Sequence, residues 1–321
     1  MKSGLLLSLT ILTAAGHSLA ADPFLDLPIA CSLGQDCYIE AYLDHDPGQG
    51  RADQTCGLRT RDGHQGIDFA LPGYDALQRG VAVRAAADGV VEAIRDGLPD
   101  TPPDERYTGA QDCGNAVRIG HPNGLKTLYC HLSAGSVVVR QGTPVKAGET
   151  LGTVGQSGLS NFPHLHFSVL TGAGQPVDPF APDNAMSCGT EQNGLWHNPP
   201  PYQPTGFFTA GFSSDVPTLD AVSTGNARIS HAPPDAPLVL YGHMFLAEHG
   251  DLLEFEADGP DGRIFERSEV LKAPKKNLLR AFGRRAPDGG WPEGAYRGAL
   301  TLTRKGALIA KRYAYVTVGG G

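Results

Sequence analysis

Glycine and proline set the first constraint on this chain. With 42 glycines and 25 prolines in 321 residues, a turn-forming or helix-breaking residue stands at about every fifth position, so no long helix or coiled coil can run far. Hydrophobic residues make up 40% and charged residues 19%. That is enough apolar surface to bury a core and too little charge for a solvating, disordered chain. Short β segments joined by turns satisfy both conditions, so the expectation is a mostly β, antiparallel protein. The 34 acidic residues outnumber the 26 basic ones, which argues against a nucleic-acid partner.

The amino terminus reads as an address. Lys2 precedes an apolar run from Leu5 to Ala15, and Ser18-Leu19-Ala20 stands just before Ala21-Asp22-Pro23. A positive start, a short apolar stretch and small residues two apart describe a cleavable secretory signal over residues 1–20. The run is too short to span a bilayer comfortably, which takes about 20 apolar residues, and no later segment could cross one. Export to the periplasm or the extracellular space follows, and it carries the six cysteines into an oxidising setting.

After an extension over 21–55, the stretch 56–181 shows short apolar runs separated by Gly and Asp turns. The runs beginning at Val81 and Val90 flank Ala87-Asp88-Gly89, and those at Asn115 and Leu125 flank His121-Pro122-Asn123-Gly124. Both read as hairpins. Residues 182–205, with Asn198-Pro199-Pro200-Pro201 and Pro204, read as a linker. From 206 to 321 alternating stretches such as Leu238–Tyr241 and Ala314–Val318, punctuated by Pro-Asp-Gly turns, suggest a β-sandwich.

Four pieces of the first domain carry chemistry: Gly63-His64-Gln65-Gly66-Ile67-Asp68, Tyr129-Cys130-His131-Leu132, Gly155-Gln156-Ser157-Gly158 leading to His164-Leu165-His166-Phe167, and the closing Asp178-Pro179-Phe180. On strands, side chains alternate between faces. His64 and Asp68 are then on one face, as are His164 and His166, and Tyr129 should point with His131 and leave Cys130 opposite. Three strands can aim four histidines and one aspartate into a single patch. Two imidazoles and a carboxylate suit a catalytic zinc with an open position for water, whose pKa zinc brings to about 7. Two further histidines could move protons and polarise an oxyanion.

The order His-x-x-x-Asp, then Tyr-x-His-Leu, then Ser-Gly followed by His-Leu-His-Phe resembles the lysostaphin-type (LytM-like) zinc metalloendopeptidases, which cut bacterial cell-wall peptides. The likeness covers about residues 56–181. It implies a small antiparallel β groove, one Zn2+ ion held by His64, Asp68 and His166, and catalytic roles for His131 and His164. It also implies a peptidoglycan hydrolase that cleaves cross-link or stem-peptide bonds through metal-activated water. The family contains silent members that have lost ligands and act as wall-binding proteins or amidase activators; here all five positions are filled. One departure is Cys130, where Gly or Ser is common. The segment Gly142–Gly152 also resembles biotinyl or lipoyl carriers, with Lys146 on a turn, but it lacks the flanking Met or Asp.

The filled His and Asp set removes the need for thiolate ligands, so the cysteines are expected as disulfides. Cys113 and Cys130 stand nearly opposite on the two arms of the hairpin turning at 121–124 and are expected to be bonded. Cys31, Cys37, Cys56 and Cys188 leave three pairings open. In the C-terminal region, Lys272 to Arg285 holds six basic residues and no acidic one, a pattern of a charge-protected edge strand or a contact for anionic envelope polymer. Positioning the peptidase on the wall, covering its groove and binding an envelope protein partner all remain open as roles for this domain.

Overall fold

The structure is a computed structural model that describes residues 23–100, 109–183 and 194–319. The expected signal at 1–20 and Cys188 lie outside the described residues. The first half comprises β1 (Tyr38–Ala41), β2 (Ile67–Ala70), α1 (Tyr74–Arg79), β3 (Ala82–Arg84), β4 (Gly89–Arg95), β5 (Asn115–Gly120), β6 (Lys126–Leu132), β7 (Pro144–Val145), β8 (Thr150–Thr153), β9 (His164–Leu170) and β10 (Pro176–Val177). One sheet runs β1-β2-β9-β6-β5-β4-β7, with β10 beside β9, while β3 and β8 pair separately. Every pairing in both is antiparallel.

The period-two pattern of β9 explains the placement of the large sheet. Leu165, Phe167 and Val169 face the core together with Ile67, Phe69 and Tyr129, which leaves His164 and His166 on the other face. The same core takes in Leu25, Ile29, Cys37, Ile39 and Tyr42 from the amino-terminal stretch and Leu195 and Trp196 from the Pro-rich one. That stretch, read as linker, is therefore packed at Leu195 and Trp196. Cys113 and Cys130 are bonded with Cα atoms 4.8 Å apart, Cys31 is bonded to Cys37, and Cys56 is also in a disulfide.

The hairpin expected around Ala87-Asp88-Gly89 does not form. β3 pairs with β8, and β4 pairs with β5 and β7. At this turn the Asp88 carboxylate accepts hydrogen bonds from the Ala147 backbone at 2.9 Å and Lys146 Nζ at 2.7 Å. These bonds tie the turn to the 146–149 turn instead of closing a hairpin.

The second half comprises β11 (Gly206–Ser213), α2 (Leu219–Thr224), β12 (His231–Ala232), β13 (Leu238–Ala247), β14 (Leu252–Gly259), β15 (Gly262–Val270), β16 (Lys275–Arg284), β17 (Gly294–Arg304) and β18 (Ala307–Val318). A three-stranded sheet, β11-β13-β16, faces a five-stranded one, β12-β18-β17-β14-β15. Phe207, Phe212, Leu238 and Leu240 of the first share one core with Leu253, Phe255, Leu300 and Leu302 of the second, which is the sandwich arrangement. The basic run falls on β16, an edge of its sheet, where Arg280 pairs with Glu269 at 3.1 Å. Among the described residues, no helix is long and apolar enough to cross a membrane.

Candidate metal and catalytic site

Asp68 on β2 sits opposite His166 on β9, and Ala70 sits opposite His164. Cross-strand partners share a face, so the register brings Asp68, His164 and His166 together as alternation implies. His64 lies before β2 begins, so strand parity does not place it. The amino-terminal stretch does: His64 Nδ1 is 2.6 Å from the Tyr42 carbonyl, and the His64 carbonyl accepts from the Asp44 backbone at 2.8 Å.

His131 arrives by a different route from the expected one. Cys130 is opposite His166 and Tyr129 is opposite Phe167. Cys130 therefore lies on the site face of the sheet, while Tyr129 points into the core, the reverse of the reading from parity. Asn115 pairs with Leu132 and Val117 with Tyr129, so Cys130 and His131 together oppose Ala116 and form a β-bulge. His131 has φ of 62°, a left-handed conformation that few non-glycine residues adopt. Bulges redirect side chains beside functional sites, and this one brings the His131 ring to 4.6 Å from that of His164 and 6.1 Å from that of His166.

The hydrogen bonds fix which nitrogen of each ring carries the proton. A carbonyl can only accept. Nδ1 is therefore the donor in His64 toward Tyr42, in His131 toward Ser157 at 2.8 Å, and in His164 toward Phe162 at 2.7 Å. His166 is reversed. Ser168 Oγ donates to the Gln65 carbonyl at 2.9 Å, so it accepts from His166 Nε2, also at 2.9 Å. His166 Nδ1 is left as a lone pair 2.8 Å from Asp68 Oδ1, with His64 Nε2 3.2 Å from His166 Nδ1 and 3.1 Å from Asp68 Oδ1. Three acceptors thus converge with no proton between them.

Such a cluster calls for a cation. Tetrahedral zinc with bonds of about 2.0–2.1 Å to nitrogen and oxygen spaces its ligands about 3.3 Å apart, close to the distances here. These three side chains also form a His/Asp/His group with all ligand atoms within 4.8 Å. Polar atoms nearby agree: His164 Nε2 is buried without a hydrogen-bond partner, and so is Asp68 Oδ2, which Arg61 approaches at 2.7 Å without hydrogen-bond geometry. Burial by itself would raise the Asp68 carboxyl, but the polar surroundings set by the His64, His164 and His166 imidazoles outweigh it and hold the group well below the usual range. Burial pushes His166 and, with help from His164 and His166, His131 toward the neutral form. A cation supplies the positive charge that neutral imidazoles do not.

Two glycines make this geometry attainable. A Cβ on Gly66 would fall 2.6 Å from the Phe167 carbonyl and 2.8 Å from His166 Nε2. Gly158 has φ of 78°, and its Cβ would fall 2.4 Å from the Gly114 backbone nitrogen. It directs the turn whose Ser157 carbonyl orients His131, and Ser157 Oγ donates to the Leu132 carbonyl at 2.7 Å. The Gly155–Gly158 motif thus orients a side chain in another strand. Ser168, Tyr42 and Arg61 were not singled out from sequence. His45 forms a buried 2.6 Å pair with Asp178, and this ties the closing Asp178-Pro179-Phe180 segment to the amino-terminal stretch.

A groove of about 580 Å³ opens beside Asp68 and His164. Residues 62–179 match the family described as Peptidase family M23. Over 117 residues the chain is 43% identical to the DD-carboxypeptidase/endopeptidase Mpg of Neisseria meningitidis, covering 36% of this chain and 22% of that protein. Over 115 residues it is 34% identical to the peptidoglycan DD-endopeptidase ShyA of Vibrio cholerae, covering 36% and 22%. The chain spans about a fifth of the length of these curated relatives. The catalytic domain of the prophage-encoded M23 protein EnpA from Enterococcus faecalis aligns with a TM-score of 0.33 at 25% identity, covering 49% of this chain and 94% of that one. The segment that matches peptidase family M23, residues 62–179, carries all five of the histidines and aspartate described above.

Proposed function

We propose that this chain is an exported zinc-dependent endopeptidase that hydrolyses peptide bonds in bacterial peptidoglycan, with His64, Asp68 and His166 as metal ligands. The observation that carries this reading is the convergence of three unprotonated acceptors at 2.8–3.2 Å, within a family whose members compared above are named for cell-wall peptide cleavage. Zinc bound there supplies Lewis acidity, lowering the pKa of water toward neutrality and polarising a carbonyl.

The chain's own residues do the rest. His131 and His164 each hold Nδ1–H on a backbone carbonyl, which leaves Nε2 free to accept a proton from the attacking water. The imidazolium so formed stabilises the developing oxyanion and returns its proton to the leaving amine, without a covalent intermediate. The Ser157 and Phe162 carbonyls keep both rings in the productive tautomer, as metal-site outer partners do. The relatives' action on peptidoglycan, together with the signal read at 1–20, supports a periplasmic or extracellular location. The division into a peptidase domain and a C-terminal sandwich is part of the same proposal.

Incubating the mature chain with purified peptidoglycan and separating the released muropeptides tests this reading. Cleavage should vanish in metal-free protein and in His166→Ala, and return to the former with zinc. Cleavage that survives both treatments contradicts the zinc role. A wild type silent on walls of several chemistries points to an amidase activator or wall-binding protein instead.

A further inference from the structure

The groove beside the candidate site has two walls from different parts of the chain. Asp68 and His164 stand on one side; Phe208 of β11, Ser223 of α2, His243 of β13 and Asn277 of β16 line the other. The seam between them is tightly packed. Tyr38 is 2% exposed, and its ring lies 5.0 Å from Phe208 and 6.0 Å from Phe245. The Arg59 guanidinium lies 3.8 Å over the Phe245 ring, and Asp75 pairs with Arg228 at 2.9 Å. The sandwich is therefore a fixed wall and not a loosely tethered neighbour.

The wall's chemistry suits a peptide. Asn277 and Ser223 offer an amide and a hydroxyl, and Phe208 offers an aromatic face. Glu40 and Arg61, which also line the groove, stand 3.5 Å apart and about half exposed. Peptidoglycan stem peptides bring amides together with free carboxylates and amines, which match these groups. The volume lies within the range of about 300–1,000 Å³ usual for ligand sites.

We propose that the C-terminal sandwich completes the substrate groove, with Asn277 and Ser223 contacting the stem peptide across from His164. This rests on the peptidase reading and deepens it, making the three-stranded sheet a specificity wall. Asn277 is exposed on an edge strand, so it can be altered without disturbing a core.

The test attaches a bulky maleimide to Asn277→Cys in the full chain, with Ser268→Cys, exposed on β15, and reagent-treated wild type as controls. Binding of a soluble cross-linked muropeptide dimer is measured in a zinc-loaded His131→Ala background, and hydrolysis is measured in the otherwise native chain. Labelled Asn277→Cys should bind at least about tenfold more weakly than labelled Ser268→Cys and show a raised KM. Equal binding by the two labelled proteins overturns the wall, as does a parent chain that does not bind the dimer. If the parent binds but the native chain does not hydrolyse, the peptidase reading fails while the binding comparison still decides the wall.

Discussion

Replacing Ser168 by alanine should weaken zinc binding without touching a ligand. Ser168 is 3% exposed, and its hydroxyl accepts from His166 Nε2 at 2.9 Å while donating to the Gln65 carbonyl. Alanine removes the hydroxyl that commits the proton to Nε2 and so keeps the Nδ1 lone pair facing Asp68. A buried donor left unpaired costs about 1–3 kcal/mol, and about 1.4 kcal/mol is tenfold in an equilibrium constant. Loss of outer partners at metal sites typically costs about 10–100-fold in affinity or activity. We therefore expect the zinc Kd, measured by competition with a chromogenic chelator near neutral pH, to rise by about 10–100-fold. The melting temperature of the metal-free chain should change little, because without zinc the ring proton can move to Nδ1 and be donated to Asp68 Oδ1 at 2.8 Å. A zinc Kd within about twofold of wild type would refute the tautomer argument and, with it, the claim that His166 binds through Nδ1.

Three further outcomes follow from the same geometry. Gly158→Ala, at φ of 78° with its Cβ 2.4 Å from the Gly114 nitrogen, should cost about 2 kcal/mol in denaturant unfolding and lower kcat by displacing the Ser157 carbonyl. The double change Cys113→Ser and Cys130→Ser, which opens a bridge of sequence separation 17, should cost about 3 kcal/mol; unchanged stability would show that the bridge braces nothing. Burial lowers His243 from 6.5 to about 4, so the unfolded chain takes up that proton first. The associated stability is complete above pH 6.5 and is lost as pH falls toward 4, amounting to about 3 kcal/mol at most. His243→Gln should flatten the pH dependence of the unfolding midpoint across that window and leave it unaltered above it.

The parts of the site set by local pattern were legible in the sequence. His164 and His166 alternate with Leu165 and Phe167, and one sheet face follows directly. His131 was read as part of the site, but through the wrong geometry. Parity put it with Tyr129, whereas an extra residue in β6 and a left-handed backbone turn it away from the core. A bulge depends on the register with β5, which a single strand does not reveal. His64 was likewise identified as a ligand by resemblance, although its anchor is the Tyr42 carbonyl, and backbone acceptors leave no trace in residue identity. The opposite groove wall was beyond reach for a related reason. Phe208 and Asn277 meet the site only through a tertiary seam, and neither carries a motif. Composition did convey the sandwich, because alternating strands and Pro-Asp-Gly turns are local features.

The central claim is that His64, Asp68 and His166 present three acceptors arranged to hold a cation. X-ray absorption at the zinc edge, combined with metal analysis of the purified chain, tests it most directly. One zinc per chain, surrounded by nitrogen and oxygen alone and lost in both Asp68→Ala and His166→Ala, is the expected result. A chain that takes up no stoichiometric zinc, a sulfur ligand in the spectrum, or full zinc occupancy in His166→Ala would contradict it.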